Sequence, residues 1–331
     1  MQAKNIDVTA LGELLIDFTP SGLSEQGNRL MEVNPGGAPA NLLSMLTKLG
    51  HSTSFIGKVG DDMFGRLLKD VLGDVGIGTE NLILSKTDNT TLAFVHIKDG
   101  GDRDFSFYRK NGADVQLSSG EINEDILSRT RIFHYGSLSM TAEPAASATE
   151  YALSCAKKRG ILCSFDPNLR IPLWDNLAHA KERIKYGLSQ CDILKIAEEE
   201  LEFVTDCTDI NEGVRALRSS YNIPLIGVTC GKKGASLFYA DKKTTDGLGI
   251  HESLPTFKKV KTIDTTGAGD TFGACILHDV LLHGFTDFTK ERLHSMLLFA
   301  NAAASLVTEK KGVLRVMPSE KEIRALIAQG L

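Results

Sequence analysis

Between residues 6 and 229, short apolar runs alternate with segments whose apolar residues recur at helical spacing, and this alternation constrains the fold more than any other feature. Strands are expected at 6–10, 53–59, 132–135, 161–166, 193–196 and 225–229. Helical patterns occupy 39–49, 62–75, 144–158, 176–189, 198–205 and 211–219. Strand–helix–strand units of this kind build an α/β fold in layers around a mostly parallel central sheet, with functional groups at the carboxyl ends of the strands. Two stretches, at about 13–33 and 90–110, break the rhythm and look like strand–loop–strand segments. The second has alternating Phe105 and Phe107 and the turn Asp99-Gly100-Gly101-Asp102 between its arms. Strands inserted in a single α/β domain spanning 1–331 make a natural lid, and an ordinary surface hairpin fits the same pattern.

Composition narrows the class of partner. The 331 residues carry a formal charge of −5, and basic clusters such as Lys157-Lys158-Arg159 are short and isolated, which argues against a nucleic-acid partner. No segment approaches 18 uncharged apolar residues and the first residues include Lys4 and Asp7, so neither a membrane span nor a signal segment is expected. Cys155, Cys163, Cys191, Cys207, Cys230 and Cys275 lack CxxC spacing, as expected of free thiols in a reducing cytosol.

The chemistry concentrates in Asp264-Thr265-Thr266-Gly267-Ala268-Gly269-Asp270. An apolar segment at helical spacing follows, with Ile276, Leu277, Val280 and Leu281, so the glycines stand at a helix N-terminus where free N–H groups and the macrodipole favour a phosphate. Asp270 is placed as a base. Taken alone, the Gly-x-Gly fits equally well a tight turn capped by two aspartates. The spacing is not GxGxxG, no GxxxxGK[ST] occurs, and no lysine follows, so an anion here is held mainly by backbone.

A second constellation is Asn34-Pro35-Gly36-Gly37-Ala38-Pro39-Ala40-Asn41. Pro39 suits a helix's first turn and the paired glycines admit a ligand close to the backbone. Asn41, one turn in, has an amide that both donates and accepts, as hydroxyls do. Asp17, ending the run from Gly12, offers a bidentate acceptor to vicinal hydroxyls, although a strand-end aspartate also serves as a turn residue.

Taken in order, NPGGAPANLLSMLTKLG, IGKVGDDMFG (56–65), FDPNLR (165–170), TCGKKGA (229–235) and DTTGAGDTF closely resemble the ribokinase-like, or pfkB, family of carbohydrate kinases, from Gly12 to about Pro318. The resemblance implies a three-layer fold with a small β-strand lid and an ATP-dependent sugar kinase. In it Asp270 takes the proton from a sugar hydroxyl, the backbone of Gly267, Ala268 and Gly269 forms the anion hole, and Arg170 clamps the transferred phosphate. Asp17, Gly36, Gly37, Asn41, Arg109 and Asp166 belong to the sugar site, and Lys195, Glu200, Thr229, Gly231, Gly234 and Asn301 to the nucleotide side. Asp264 and Thr266 match positions that help bind a monovalent cation, usually K⁺, completed by carbonyls near 307–312; a structural acceptor role for Asp264 remains open. Mg²⁺ would be met by Glu200 through water. Pairing of lids implies a homodimer.

One departure stands out: the family's Asn-x-x-Glu after the strand at 193–196 reads Ala197-Glu198-Glu199-Glu200, so the amide that organises metal-bound water is missing while the carboxylate stays. Phe107-Tyr108-Arg109 with Gly112-Ala113-Asp114, and Asp166 to Trp174, look most like fructokinases. The 2-keto-3-deoxygluconate kinases share part of these elements, and other sugar or nucleoside kinases and a non-catalytic regulatory protein are the remaining alternatives. A binding module would have no need of Asp270.

Overall fold

The computed structural model describes residues 4–97, 103–241 and 244–331. The elements run β1 (Ile6–Leu11), β2 (Leu15–Leu23), β3 (Arg29–Gly36), α1 (Ala38–Lys48), β4 (Thr53–Gly60), α2 (Met63–Asp74), β5 (Gly78–Ser85), β6 (Leu92–Ile97) and β7 (Arg103–Tyr108). They continue with α3 (Glu124–Ser128), β8 (Thr130–Gly136), α4 (Ala145–Lys158), β9 (Leu162–Asp166), α5 (Leu177–Gln190), β10 (Ile193–Ala197), α6 (Glu198–Thr205), α7 (Ile210–Ser220) and β11 (Leu225–Thr229). The last are β12 (Ala235–Tyr239), β13 (Ile250–Leu254), α8 (Ala268–His283), α9 (Lys290–Val307) and α10 (Glu320–Ala328). Every strand and helix expected from the alternation is present. The turn at 99–102 lies outside the described residues.

A nine-stranded sheet in the order β13-β12-β11-β10-β9-β8-β1-β4-β5 forms the middle layer. It is parallel from β11 to β5, and β12 and β13 continue it antiparallel. Apolar residues of α1, α2, α8, α9 and α10 pack on one face and those of α3 to α7 on the other, giving two cores, as a sheet buried on both sides requires. β1 leads outward to β4 and β5, and the chain then returns to β8 on its other flank. The order therefore reverses between β1 and β8, and a crevice opens there at the strands' carboxyl ends.

The two irregular stretches form a second sheet, β3-β2-β6-β7, with β2 and β6 parallel and the outer pairs antiparallel. Phe18 stacks on Phe94 at 4.8 Å and meets Phe64 of α2 edge-on, which anchors this sheet to the main body. Leu23, Leu30, Val33 and Tyr108 are left exposed on it. Among the described residues no helix is long and apolar enough to cross a membrane.

Candidate active site

Two cavities flank the N-terminus of α8. Its N-cap, Gly267, adopts φ 78°, a left-handed conformation, and a Cβ there would run into the Val313 side chain, so both backbone and packing call for glycine. The Gly267 carbonyl accepts from Thr271 N–H at 2.8 Å and starts the helix, which leaves the first-turn amides without intrahelical acceptors. That of Ala268 leans on Thr265 O at 3.3 Å. Gly269 lacks a side chain where one would press on a cation: a Cβ would stand 2.9 Å from Lys195 Nζ.

The larger cavity, about 380 Å³, opens at the crevice between β1 and β8. Its walls are Glu13, Leu15 and Asp17 from the start of the chain, Gly37, Ala38 and Asn41 from α1, and Phe107 from β7. Leu138, Asn168, Arg170, Lys195, Ala197, Glu200, Thr265, Thr266, Gly267, Gly269 and Asp270 complete it. Asn41 Nδ2 donates to Asp270 Oδ2 at 2.8 Å, while Asn41 Oδ1 is buried without a partner. An orphaned amide oxygen beside a carboxylate is what a hydroxyl-bearing ligand would satisfy. Burial, with Asp166 adding to it, pushes the Asp270 carboxyl up from 3.8 to about 6, against the opposing pull of Asn41, Lys195 and Arg170.

Beside the N-terminus of α8, Lys195 Nζ lies 3.2 and 3.0 Å from Asp166 Oδ1 and Oδ2. Burial alone would depress the lysine, but Asp166, Glu200 and Asp270 outweigh it and hold it protonated above its usual range. Glu200 Oε1 accepts from Leu169 N–H at 2.7 Å and Oε2 from Ala197 N–H at 2.8 Å. It thus ties the end of β10 to the loop after β9, where Asn168 is held at φ 46°.

The second cavity, about 330 Å³ and mostly apolar, lies across α8. Thr229, Gly231, Gly234, Thr256, Phe257, Val260, Thr262, Thr265, Ala268, Gly269, Asn301, Ala304, Ser305 and Thr308 line it, among others. Asn301 Nδ2 donates to Leu254 O and Pro255 O, both at 3.2 Å, fixing the α9 wall to the end of β13. Thr265 and Gly269 belong to both cavities.

Most of the residues singled out in the sequence meet here, and the exceptions are informative. Arg109, expected over the substrate, is not on the cavity wall. It is buried with Nε and Nη2 at 2.7 Å from Asp114 Oδ2, Nη1 on Thr141 Oγ1 and Nη2 on Leu138 O, so its fork is committed to holding the loops after β7 and β8. Asp166 is also behind the wall, paired with Lys195 and accepting from Asn168 N–H at 3.2 Å, and it acts on Asp270 through its charge. Lys195 and Glu200 face the larger cavity rather than the apolar one. Gly36 backs Asp17, whose Oδ2 would stand 2.5 Å from a Cβ at that position.

Buried Asp264 accepts from Thr266 N–H at 2.8 Å, and Thr308 O accepts from the N–H groups of Ile263 and Asp264, which brings the end of α9 beside this turn. A buried carboxylate, a hydroxyl and neighbouring carbonyls are hard oxygen donors that suit a monovalent cation. For Mg²⁺ the donor set is thinner: among the described residues no three metal-ligating side chains cluster, which fits an ion held largely by phosphate and water. Sequence reading missed Glu13, Asn168 and the apolar cavity's Phe257 and Val260, because each sits in a connection whose path only tertiary packing sets, and Leu15, the first residue of β2, whose facing depends on how the second sheet sits on the main body.

A model of the "pfkB family carbohydrate kinase" matches residues 5–320. The chain belongs to the pfkB family of carbohydrate kinases. Among the relatives of this pfkB kinase is fructokinase-2 of Oryza sativa subsp. japonica, 39% identical over 327 residues that cover 97% of this chain and 94% of the relative. Among solved structures, a fructokinase with bound ATP from Xylella fastidiosa superposes with a TM-score of 0.87 at 30% identity, covering 98% and 99% of the two chains. A fructokinase double mutant from Vibrio cholerae O395, in a fructose-, ADP- and potassium-bound form, gives 0.84 at 29% identity with the same coverage. This pfkB kinase is therefore a phosphotransferase with an alcohol acceptor, built on the ribokinase-like fold.

Proposed function

We propose that the chain transfers the γ-phosphoryl group of ATP to a hydroxyl of fructose, bound in the larger cavity, with the nucleotide base in the apolar one. The observation that carries this reading is the commitment of Arg109 to Asp114, Thr141 and Leu138. Four carboxyl groups, Glu13, Asp17, Glu200 and Asp270, face the cavity, and the cations there are Arg170 and the Asp166-paired Lys195. A sugar acid such as 2-keto-3-deoxygluconate would bring its carboxylate into that field, whereas a neutral ketose offers hydroxyl donors to the same oxygens. The named fructokinase relatives support the choice of fructose.

In the reaction, Asp270 accepts the hydroxyl proton. Its pKa of about 6 leaves it ionised near neutral pH and more basic than an ordinary aspartate. Asn41 orients it and receives a substrate hydroxyl on Oδ1. The first-turn amides of α8, with Lys195 and Arg170, neutralise charge on the transferring phosphoryl, and the β3-β2-β6-β7 sheet closes over the sugar to exclude water. Glu200 would hold Mg²⁺ through water, and Asp264 with Thr266 would hold K⁺; when bound, these ions add positive charge beside the phosphates. The exposed Leu23, Leu30, Val33 and Tyr108 support pairing of that sheet with a second copy. Six free cysteines, five of them buried, support a reducing cytosolic setting.

The test is ATP-dependent ADP release against fructose, 2-keto-3-deoxygluconate, ribose, tagatose, inosine and adenosine. The reading expects the highest kcat/KM for fructose. Preference for the acid would sink it.

A further inference from the structure

Glu13 is a buried carboxyl that adds to the acidic field of the sugar cavity but to which the transfer described above assigns no step. It follows β1 in the crevice, is 4% exposed, and faces the cavity that holds Asp17 and Asp270. Its Oε1 accepts from the Ala38 N–H at 2.9 Å. Ala38 opens α1, whose N-cap, Gly37, has no side chain to cap with. Gly37 holds φ 130°, and a Cβ there would strike the Glu13 carbonyl and come within 3.2 Å of Leu14 Cα, so the two segments also abut through backbone. A helix's first amides lack intrahelical acceptors and favour negative charge, and Glu13 supplies both needs from a distant part of the chain.

Burial pushes the carboxyl up to about 7, with Ala38 N–H and Arg109 opposing the shift. Such a group is expensive to keep in place of an apolar one. What it holds is the first turn of α1. Asn41 N–H donates to Gly37 O at 2.9 Å in that turn, and the Asn41 side chain reaches Asp270 at 2.8 Å. The position of Asn41 is therefore inherited from a turn pinned at Glu13.

We propose that Glu13 is a positioning residue for phosphoryl transfer: its carboxylate fixes the first turn of α1 and thereby holds Asn41 against Asp270 at the acceptor hydroxyl. The inference rests on Asp270 being the base.

The experiment measures kcat and fructose KM for the full-length enzyme and its Glu13→Met, Glu13→Gln, Asn41→Ala and Asp270→Asn variants. Glu13→Met conserves size but removes the acceptor and should lower kcat roughly 10- to 100-fold, whereas Glu13→Gln, which keeps an oxygen for Ala38 N–H, should stay within about threefold of wild type. Introduced into Asn41→Ala, Glu13→Met should cost less than about twofold more, because both changes act on one contact. If Glu13→Met does not fold, Glu13→Asp, which draws the carboxylate back by one methylene, takes its place with the same expectation. Equal losses in both backgrounds would overturn the inference, as would a raised KM with unchanged kcat, which would make Glu13 a direct sugar ligand. Turnover lost in Asp270→Asn but untouched by Glu13→Met would overturn it while leaving the base in place. Turnover surviving in Asp270→Asn would overturn both.

Discussion

Asp270→Asn is expected to yield a kinase that is nearly inactive and yet more stable than wild type. The substitution keeps volume and the acceptor for Asn41 Nδ2 but removes an ionisable group whose pKa rises from 3.8 to about 6 on folding. Between those values the unfolded chain has released this proton while the folded one retains it, so stability falls as pH rises from about 4 to about 6 and stays level above. A shift of roughly 2 units corresponds to about 3 kcal/mol, borne in full at pH 8 and absent below pH ~4. Asparagine carries no such cost. Urea denaturation of both proteins at pH 8 and pH 4 should give a difference of about 3 kcal/mol that shrinks toward zero in acid. Turnover should drop on the order of 10²–10⁴-fold. A variant no more stable than wild type at pH 8, or an advantage that persists at pH 4, would refute the account of the raised carboxyl; turnover above about a tenth of wild type would refute its role as base.

The same carboxyl predicts that kcat/KM rises about tenfold per pH unit below pH 6 and levels above it; a profile flat from pH 5 to 8 would contradict this. Arg109→Ala should cost about 3–5 kcal/mol of stability, measured by denaturant melts, because it strands buried Asp114, and the loss should show more in the melt than in fructose KM. Ala197→Asn should lower the Mg²⁺ concentration for half-maximal rate while leaving sugar KM unchanged, and should add about 0.5–2 kcal/mol as an N-cap for α6; an unchanged Mg²⁺ titration would make the missing amide irrelevant. Gly267→Ala should lose about 1–3 kcal/mol from the φ of 78° and the clash with Val313, together with most turnover, and wild-type kinetics in that variant would show that the cap is not needed.

The layered sheet was legible because periodicity is local: each strand and helix from 6 to 229 carries its pattern within its own residues. The residues proposed as base and anion hole stood out for the same reason, since Gly267 to Asp270 are adjacent in the chain at the start of α8. Arg109 shows where such reading stops. Its sequence neighbourhood places it in the lid, but the direction of a guanidinium depends on which acceptors surround it. Asp114 lies five residues away, while Leu138 and Thr141 come from the loop after β8. Glu13 shows the converse, a residue in an unremarkable connection that becomes part of the site because Gly37 lets α1 approach it. Glu200 was found, but its two backbone partners, Leu169 and Ala197, were not, since a carboxylate's second attachment leaves no mark in the sequence.

The cavities on either side of α8 share only Thr265 and Gly269, interleave over 265–272, and elsewhere draw on separate stretches of chain. The proposed acceptor side is cut from residues 13–41, the second sheet, β10 and the loops after β8, β9 and β10; the proposed donor side comes from 229–235, 256–262 and 301–308. For redesign, this division means that a library randomised at Leu15, Phe107 and Leu138 could re-cut the acceptor pocket while ATP affinity served as an internal control for folding. A ligand spanning both chambers past the bare backbone of Gly269 would join two modest binding events into one, with selectivity set by the sugar end.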